Sequence, residues 1–176
     1  MIHNRRSIRL KEYDYTQSGA YFVTVCTSQR ECFFGEIVGG EIHLNRRGEI
    51  VTECWHAISD HFPQVELDAF VVMPNHVHGI ILINAGVGAG VGAQHAAPLR
   101  KKFYVPSGSL GAIVRSFKSA VTKRINKMHG SPGMPIWQRN YYEHVIRNDK
   151  GWDTIRRYIE SNPQNWADDD ENSDRI

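Results

Sequence analysis

The residues best suited to chemistry are two histidines one residue apart, in the run Met73-Pro74-Asn75-His76-Val77-His78-Gly79. Alternate side chains of a strand share a face, so both imidazoles project to one side while Val77 and Gly79 project to the other. Two imidazoles on one face make half of a metal site. The other histidines are scattered and the nearest cysteine, Cys54, is 22 residues upstream, so further ligands must come from distant sequence. A satisfied histidine pair in a core is the alternative for such a triplet. The second candidate is Tyr158, in Arg156-Arg157-Tyr158-Ile159-Glu160-Ser161-Asn162-Pro163, where helical spacing sets Asn162 beside it at i+4. A tyrosine can act as a covalent nucleophile. Against a DNA phosphodiester it needs a Lewis acid to polarise the non-bridging oxygens and to hold charge on the leaving 3′ oxygen. His76, His78 and the Asn162 carbonyl would hold that cation. A packing residue with a wet hydroxyl is the alternative for Tyr158. Tyr141 and Tyr142 compete with it on residue type, although they lie in a strand-like context with no partner at helical spacing.

These groups depend on a frame that the rest of the chain must supply. Residues 20–27 (AYFVTVCT) are rich in aromatic and β-branched side chains and read as a strand. Residues 33–38 and 41–44 flank Gly39-Gly40, which supplies the positive φ angles of a tight hairpin. From Asn45, an N-cap, the next run places Ile50, Val51, Cys54, Trp55 and Ile58 on one helical stripe that Pro63 closes. Residues 65–72 and 76–83 read as strands joined by a turn too short for a crossover, hence antiparallel. Residues 84–107, with AGVGAGVGAQHAAP, read as a flexible loop. Ser109 caps a helix whose apolar stripe is Leu110, Ile113, Val114, Phe117, Val121 and Ile125. Residues 136–146 read as one extended segment, and Asp149 opens a last helix that ends before Pro163. The order predicts one α+β domain with an antiparallel sheet.

The charge pattern narrows the partners. The net charge is only +2, but 69–142 contains no Asp or Glu and nine Lys or Arg; the remainder carries −7, from 12 basic and 19 acidic residues. Such a field attracts a polyanion, nucleic acid first, although basic surfaces are also often merely solvated. Arg115, Lys118, Lys123, Arg124 and Lys127 fall on the outer face of the 109–127 helix, and Arg100, Lys101 and Lys102 form a second cluster. The acidic tail, 167–176, is expected to fray. Three cysteines without a C-x-x-C pair suit a reducing compartment, the cytoplasm. The charged N-terminus is no signal peptide, and no run approaches the ~20 apolar residues of a membrane span.

The strings FVVMPNHVHGIILI, IWQRNYYEHVIRN and YIESNP, with RRSIRLKEYDY and SLGAIVRSFKSAVTKRIN, together resemble the single-tyrosine HUH transposases, specifically the REP-associated tyrosine transposase branch, over roughly residues 5–163. The resemblance implies a ferredoxin-like (RRM-like) antiparallel sheet with helices packed on one face, His76 and His78 as metal ligands, and Tyr158 as nucleophile. Insertion-sequence relatives carry glutamine at i+4 from the tyrosine as third ligand, where this chain has Asn162. Trp137-Gln138 and Glu143-His144 match a family motif of unassigned role, leaving Gln138 and His144 as accessory candidates. The implied reaction is attack on single-stranded DNA to leave a 5′-phosphotyrosine and a 3′ hydroxyl, with Mg²⁺ or Mn²⁺ as cofactor and hairpin DNA as partner. The implied assembly is a monomer or a homodimer. The alternative is a catalytically silent nucleic-acid-binding module of the same fold, which has no need of the intact His76, His78, Tyr158 and Asn162 set. A two-histidine-motif phosphoesterase would need a second His-x-Ser/Thr motif.

Overall fold

The computed structural model describes residues 18–84 and 108–172. Four strands form the main sheet: β1 (Gly19–Cys26), β4 (Val65–Val72), β5 (His76–Ile83) and β6 (Tyr142–Ile146). Their order is β4-β5-β1-β6, and every neighbouring pair is antiparallel. A separate hairpin pairs β2 (Gly35–Val38) with β3 (Glu41–Leu44) through Gly39 and Gly40, whose φ values of 60° and 82° are those the turn demands. The helices are α1 (Arg46–His56), the single turn α2 (Ile58–His61), α3 (Leu110–His129) and α4 (Asp149–Ser161). Asn45, Ser109 and Asn148 cap the three long helices with side-chain oxygens that accept backbone N–H groups, and Gly130 ends α3 in the left-handed conformation.

Period-two alternation gives the sheet two apolar faces. Tyr21, Val23 and Val25 of β1 and Val77, Ile81 and Ile83 of β5 join Trp55 of α1 and Ile113, Phe117 and Val121 of α3 in the larger core. Gly79 belongs to this face because the Trp55 ring lies where a Cβ would stand, at 2.2 Å. Ala20, Phe22 and Ile80 face the other way and meet Ile159, Trp152 and Ile155 of α4. The expectation of helices on one face therefore holds for α1 and α3 and fails for α4. That helix follows edge strand β6 with an amphipathic stripe of its own, and the second sheet face offers it a smaller apolar patch beside the histidines.

Two further expectations change. The extended segment 136–146 is a strand only from Tyr142; before it, Trp137 makes a single bridge to Thr27 and packs against Phe34 and Phe117. The tail does not fray through residue 172: a 3₁₀ turn at Trp166–Asp168 leads into Asp169 and Glu171, both buried at 7% exposure. Arg30, in the turn just after β1, holds it with an ion pair to Glu171 at 2.9 Å and a bond to the Asp170 carbonyl at 2.9 Å. Residues 85–107, and with them Arg100, Lys101 and Lys102, lie outside the described residues.

Candidate active site

His76 and His78 project from β5 onto the α4 face, with ring centroids 4.3 Å apart and at most 2% exposure. For His76 the neighbours settle which ring nitrogen carries hydrogen. Asn75 Nδ2 donates to the carbonyls of Arg30 (3.1 Å) and Glu171 (2.7 Å), so its Oδ1 must accept, and it does so from His76 Nδ1 at 2.8 Å. His76 Nε2 is left as a lone pair, buried and without a hydrogen-bond partner. Thr24 Oγ1 lies 2.8 Å from His78 Nδ1, and the Tyr158 hydroxyl lies 3.2 Å from His78 Nε2. In the tautomer whose Nδ1–H donates to Thr24, Nε2 accepts from the phenol. Burial, followed by the neighbouring His76, pushes His78 well below the ordinary histidine range, and burial also pulls His76 down against the opposing pull of Asp169. Both rings are thus neutral, with Nε2 lone pairs turned toward α4. This is the state a metal ligand requires, its outer nitrogen fixed by a second layer of bonds.

The pieces opposite come from the end of α4 and the segment behind it. Asn162 is 2% exposed; its Nδ2 donates to Asp169 at 2.7 Å, and its Oδ1 is buried with no partner. The other Asp169 oxygen accepts the Glu171 N–H at 2.6 Å. His76, His78 and Asp169 each offer one ligand atom, all within 4.8 Å of one another. Two orphaned buried acceptors, His76 Nε2 and Asn162 Oδ1, each cost on the order of 1–3 kcal/mol unless something satisfies them. A cation satisfies both. Two nitrogens with carboxylate and amide oxygens suit a divalent ion of the Mg²⁺, Mn²⁺ or borderline class. Cys26 adds no soft ligand: burial, then Glu171, pushes its thiol up and keeps it protonated.

Tyr158 stands beside this set, 45% exposed, in a cleft of about 520 Å³ that also takes in Phe22, Thr24, Tyr142 and residues 168–171. Burial, then the charges of Asp169, Glu171 and Asp170, raises its phenol to about 12. A second anchor fixes its helix. A bulge between Leu67 and Phe70 of β4 turns Asp68 toward α4, where it accepts from Trp152 Nε1 at 2.6 Å and from Arg156 at 2.7 and 2.8 Å.

An uncharacterized protein of Haemophilus influenzae is 45% identical to this chain over 171 residues, 96% of the chain and 93% of its relative. The chain belongs to that protein's family. No family model matches it. Among solved structures, a REP-associated tyrosine transposase bound to a REP hairpin superposes with a TM-score of 0.57 at 22% identity, over 89% of this chain and 73% of that one. The two share a fold. A Deinococcus radiodurans structure described as a candidate transposase is similar at a TM-score of 0.48 and 16% identity, over 86% of this chain and 95% of that one.

Within this family member the fold brings the pair His76 and His78 together with the pair Tyr158 and Asn162, as the resemblance implied, and adds Asp169, which sequence reasoning missed. Asp169 sat in a run of acidic residues read as a tail that frays; the signal against that was Trp166, which docks with its ring 6.0 Å from that of His76. The basic helix is not brought to the site: α3 covers the opposite sheet face. Lys118 donates to the carbonyls of Gln138 (2.6 Å) and Arg139 (3.3 Å) and Arg124 is paired with Glu53, while Arg115, Lys123 and Lys127 are exposed. Gln138 is tied to the end of β1, its N–H donating to the Cys26 carbonyl at 2.9 Å. His144 lies opposite Phe22 on the site face. Tyr141 packs into the larger core, away from the histidines. The one His-x-Ser pattern, His129-Gly130-Ser131, ends α3 and adds no second motif to the histidine pair.

Proposed function

We propose that this protein is an HUH single-tyrosine transposase of the REP-associated type, cleaving and rejoining single-stranded DNA at hairpin sequences with Mg²⁺ or Mn²⁺. The observation that carries this reading is the Tyr158 hydroxyl at 3.2 Å from a histidine whose lone pair faces the same space as His76 Nε2, Asn162 Oδ1 and Asp169. A nucleophile of that type beside a buried cation cradle is what phosphodiester attack by tyrosine requires. The fold shared with a tyrosine transposase supports the reading, and the site gives it chemical content.

Each residue has a part in the reaction. Tyr158 oxygen bonds to phosphorus, the bond from phosphorus to the 3′ oxygen breaks, the phenol proton passes to solvent, and the 3′ oxygen takes a proton to become a hydroxyl. The DNA 5′ end stays on Tyr158 as a phosphodiester, so a second 3′ hydroxyl can reverse the step without ATP. A bound divalent cation supplies the charge that stabilises the phosphate oxygens during this exchange. His76 and His78 through their Nε2 atoms, with Asn162 Oδ1 and Asp169, would hold that cation, and His78 Nε2 is also the atom nearest the Tyr158 hydroxyl, at 3.2 Å. The Tyr158 phenol, raised to about 12 by burial and the neighbouring carboxylates, is protonated at neutral pH, and positive charge beside it would favour the phenolate.

Incubation of the purified protein with labelled hairpin DNA and Mn²⁺ tests the reading. A covalent protein–DNA adduct that vanishes in Tyr158→Phe is the expected result. DNA binding with no adduct from either protein, across several hairpins, would make it a silent binding module.

A further inference from the structure

Edge strand β6 presents an exposed aromatic ring beside the nucleophile. The register pairs Thr24 with Tyr142 and Phe22 with His144, so Tyr142 and His144 share the sheet face that carries the candidate active site, while Glu143 points into the other face and is buried. Tyr142 is 39% exposed and Tyr158 45%, and both line the same cleft. Phe22 sits between them, its centroid 6.3 Å from Tyr142 and 6.0 Å from Tyr158 in edge contacts. The two tyrosines thus flank one buried phenylalanine, with the open side of each toward the cleft.

Charge fixes which wall a polyanion can follow. Asp168, Asp169, Asp170 and Glu171 line the cleft from the C-terminal segment. The β6 wall carries no acidic group on the site face, and exposed Arg139 and Arg147 stand before and after the strand. A single strand of DNA placed with a phosphate at Tyr158 is repelled from the 168–171 wall and drawn along β6, which sets its unpaired bases against Tyr142.

We propose that Tyr142, backed by Phe22, is a stacking platform for an unpaired nucleobase next to the phosphodiester that Tyr158 attacks. This rests on the reading of Tyr158 as a DNA nucleophile. Stacking on an aromatic face is tolerant of base identity, so the platform holds the strand in place and leaves sequence choice to other contacts. It also gives the Tyr141-Tyr142 pair of the sequence two separate roles, one in the core and one on the cleft.

The test is binding without chemistry. The full-length protein in EDTA is titrated with a DNA hairpin whose single-stranded flank carries 2-aminopurine at successive positions. One position is quenched in the wild-type complex; in Tyr142→Ala the quenching is lost and affinity falls roughly 5- to 100-fold. Tyr142→Phe, which keeps the ring and the fold, restores both. Wild-type quenching and affinity in Tyr142→Ala overturn the platform, as does a Tyr142→Phe variant as weak as Tyr142→Ala, because a hydroxyl contact would then be responsible. Adduct formation is scored separately with Mn²⁺: stacking without an adduct would sink the nicking reaction and leave the platform standing, whereas an adduct without stacking would do the reverse.

Discussion

Asn75 connects three parts of the site through one amide. It is fully buried; its Nδ2 fastens the carbonyls of Arg30 and Glu171, and its Oδ1 holds the proton of His76 on Nδ1. Removing such an outer partner of a ligating histidine weakens metal binding by about 10- to 100-fold. Asn75→Ala is therefore expected to lower Mn²⁺ affinity, measured by calorimetry, by that factor and to free the His76 tautomer, read from its ring ¹⁵N shifts. Unchanged affinity would show that the ring is oriented by its packing alone. At this scale the sequence was legible wherever a short period carries the information: H-x-H on a strand and Y-x₃-N on a helix each place two side chains by local geometry. Asp169 was not legible, because its segment is docked through Glu171 by Arg30 and Asn75, which lie 141 and 96 positions before Glu171, and no local pattern encodes that docking.

The helix that carries the candidate nucleophile is held to the sheet by little apolar area. Only Ile159 of α4 is fully buried, with Trp152 and Ile155 partly so. The bulged Asp68 supplies the rest, and it is a carboxylate with three charge-assisted or indole donors. Burial raises its pKa, but the bonds from Arg156 and Trp152 outweigh this, and it titrates below the usual carboxylate range. A depressed folded-state pKa means that the anchor's contribution is complete above the unfolded value near 4 and is lost as pH falls through the lower folded one. In Asp68→Ala we expect faster amide hydrogen exchange across α4, an opening easier by about 1–2 kcal/mol once the exposure of Arg156 is discounted, while β1 and β5 amides keep their protection. Adduct formation should fall with it; equal protection in both proteins would mean that Ile159 and its neighbours suffice. Strand and helix identities were readable from periodicity, and β4 and β5 fall at the predicted residues. The side of the sheet that α4 takes was not, because both faces are apolar and amphipathicity says only that a helix packs, not on which face.

Among the described residues, the basic helix α3 and the candidate nucleophile lie on opposite faces of one sheet. Lys118 and Arg124 serve the fold, tying α3 to the segment before β6 and to α1, which leaves Arg115, Lys123 and Lys127 exposed for a polyanion. DNA that touches both α3 and Tyr158 must pass around the sheet, and at the β6 edge Arg139 follows the Gln138 carbonyl that Lys118 holds. The two surfaces then have separable effects. Replacing Arg115, Lys123 and Lys127 together by alanine removes up to three phosphate contacts, and the slope of log K against log salt should flatten by about two to three units for a hairpin with a long stem. With a short oligonucleotide at saturation, the rate of adduct formation should match that of the native protein, since no substituted side chain reaches the cleft. A saturated rate that drops with the triple substitution would mean that α3 acts on the reacting strand itself. A salt slope that does not move would return those three residues to the plain role of a solvated helix face, and the path of the DNA would then be confined to the β6 edge and the cleft.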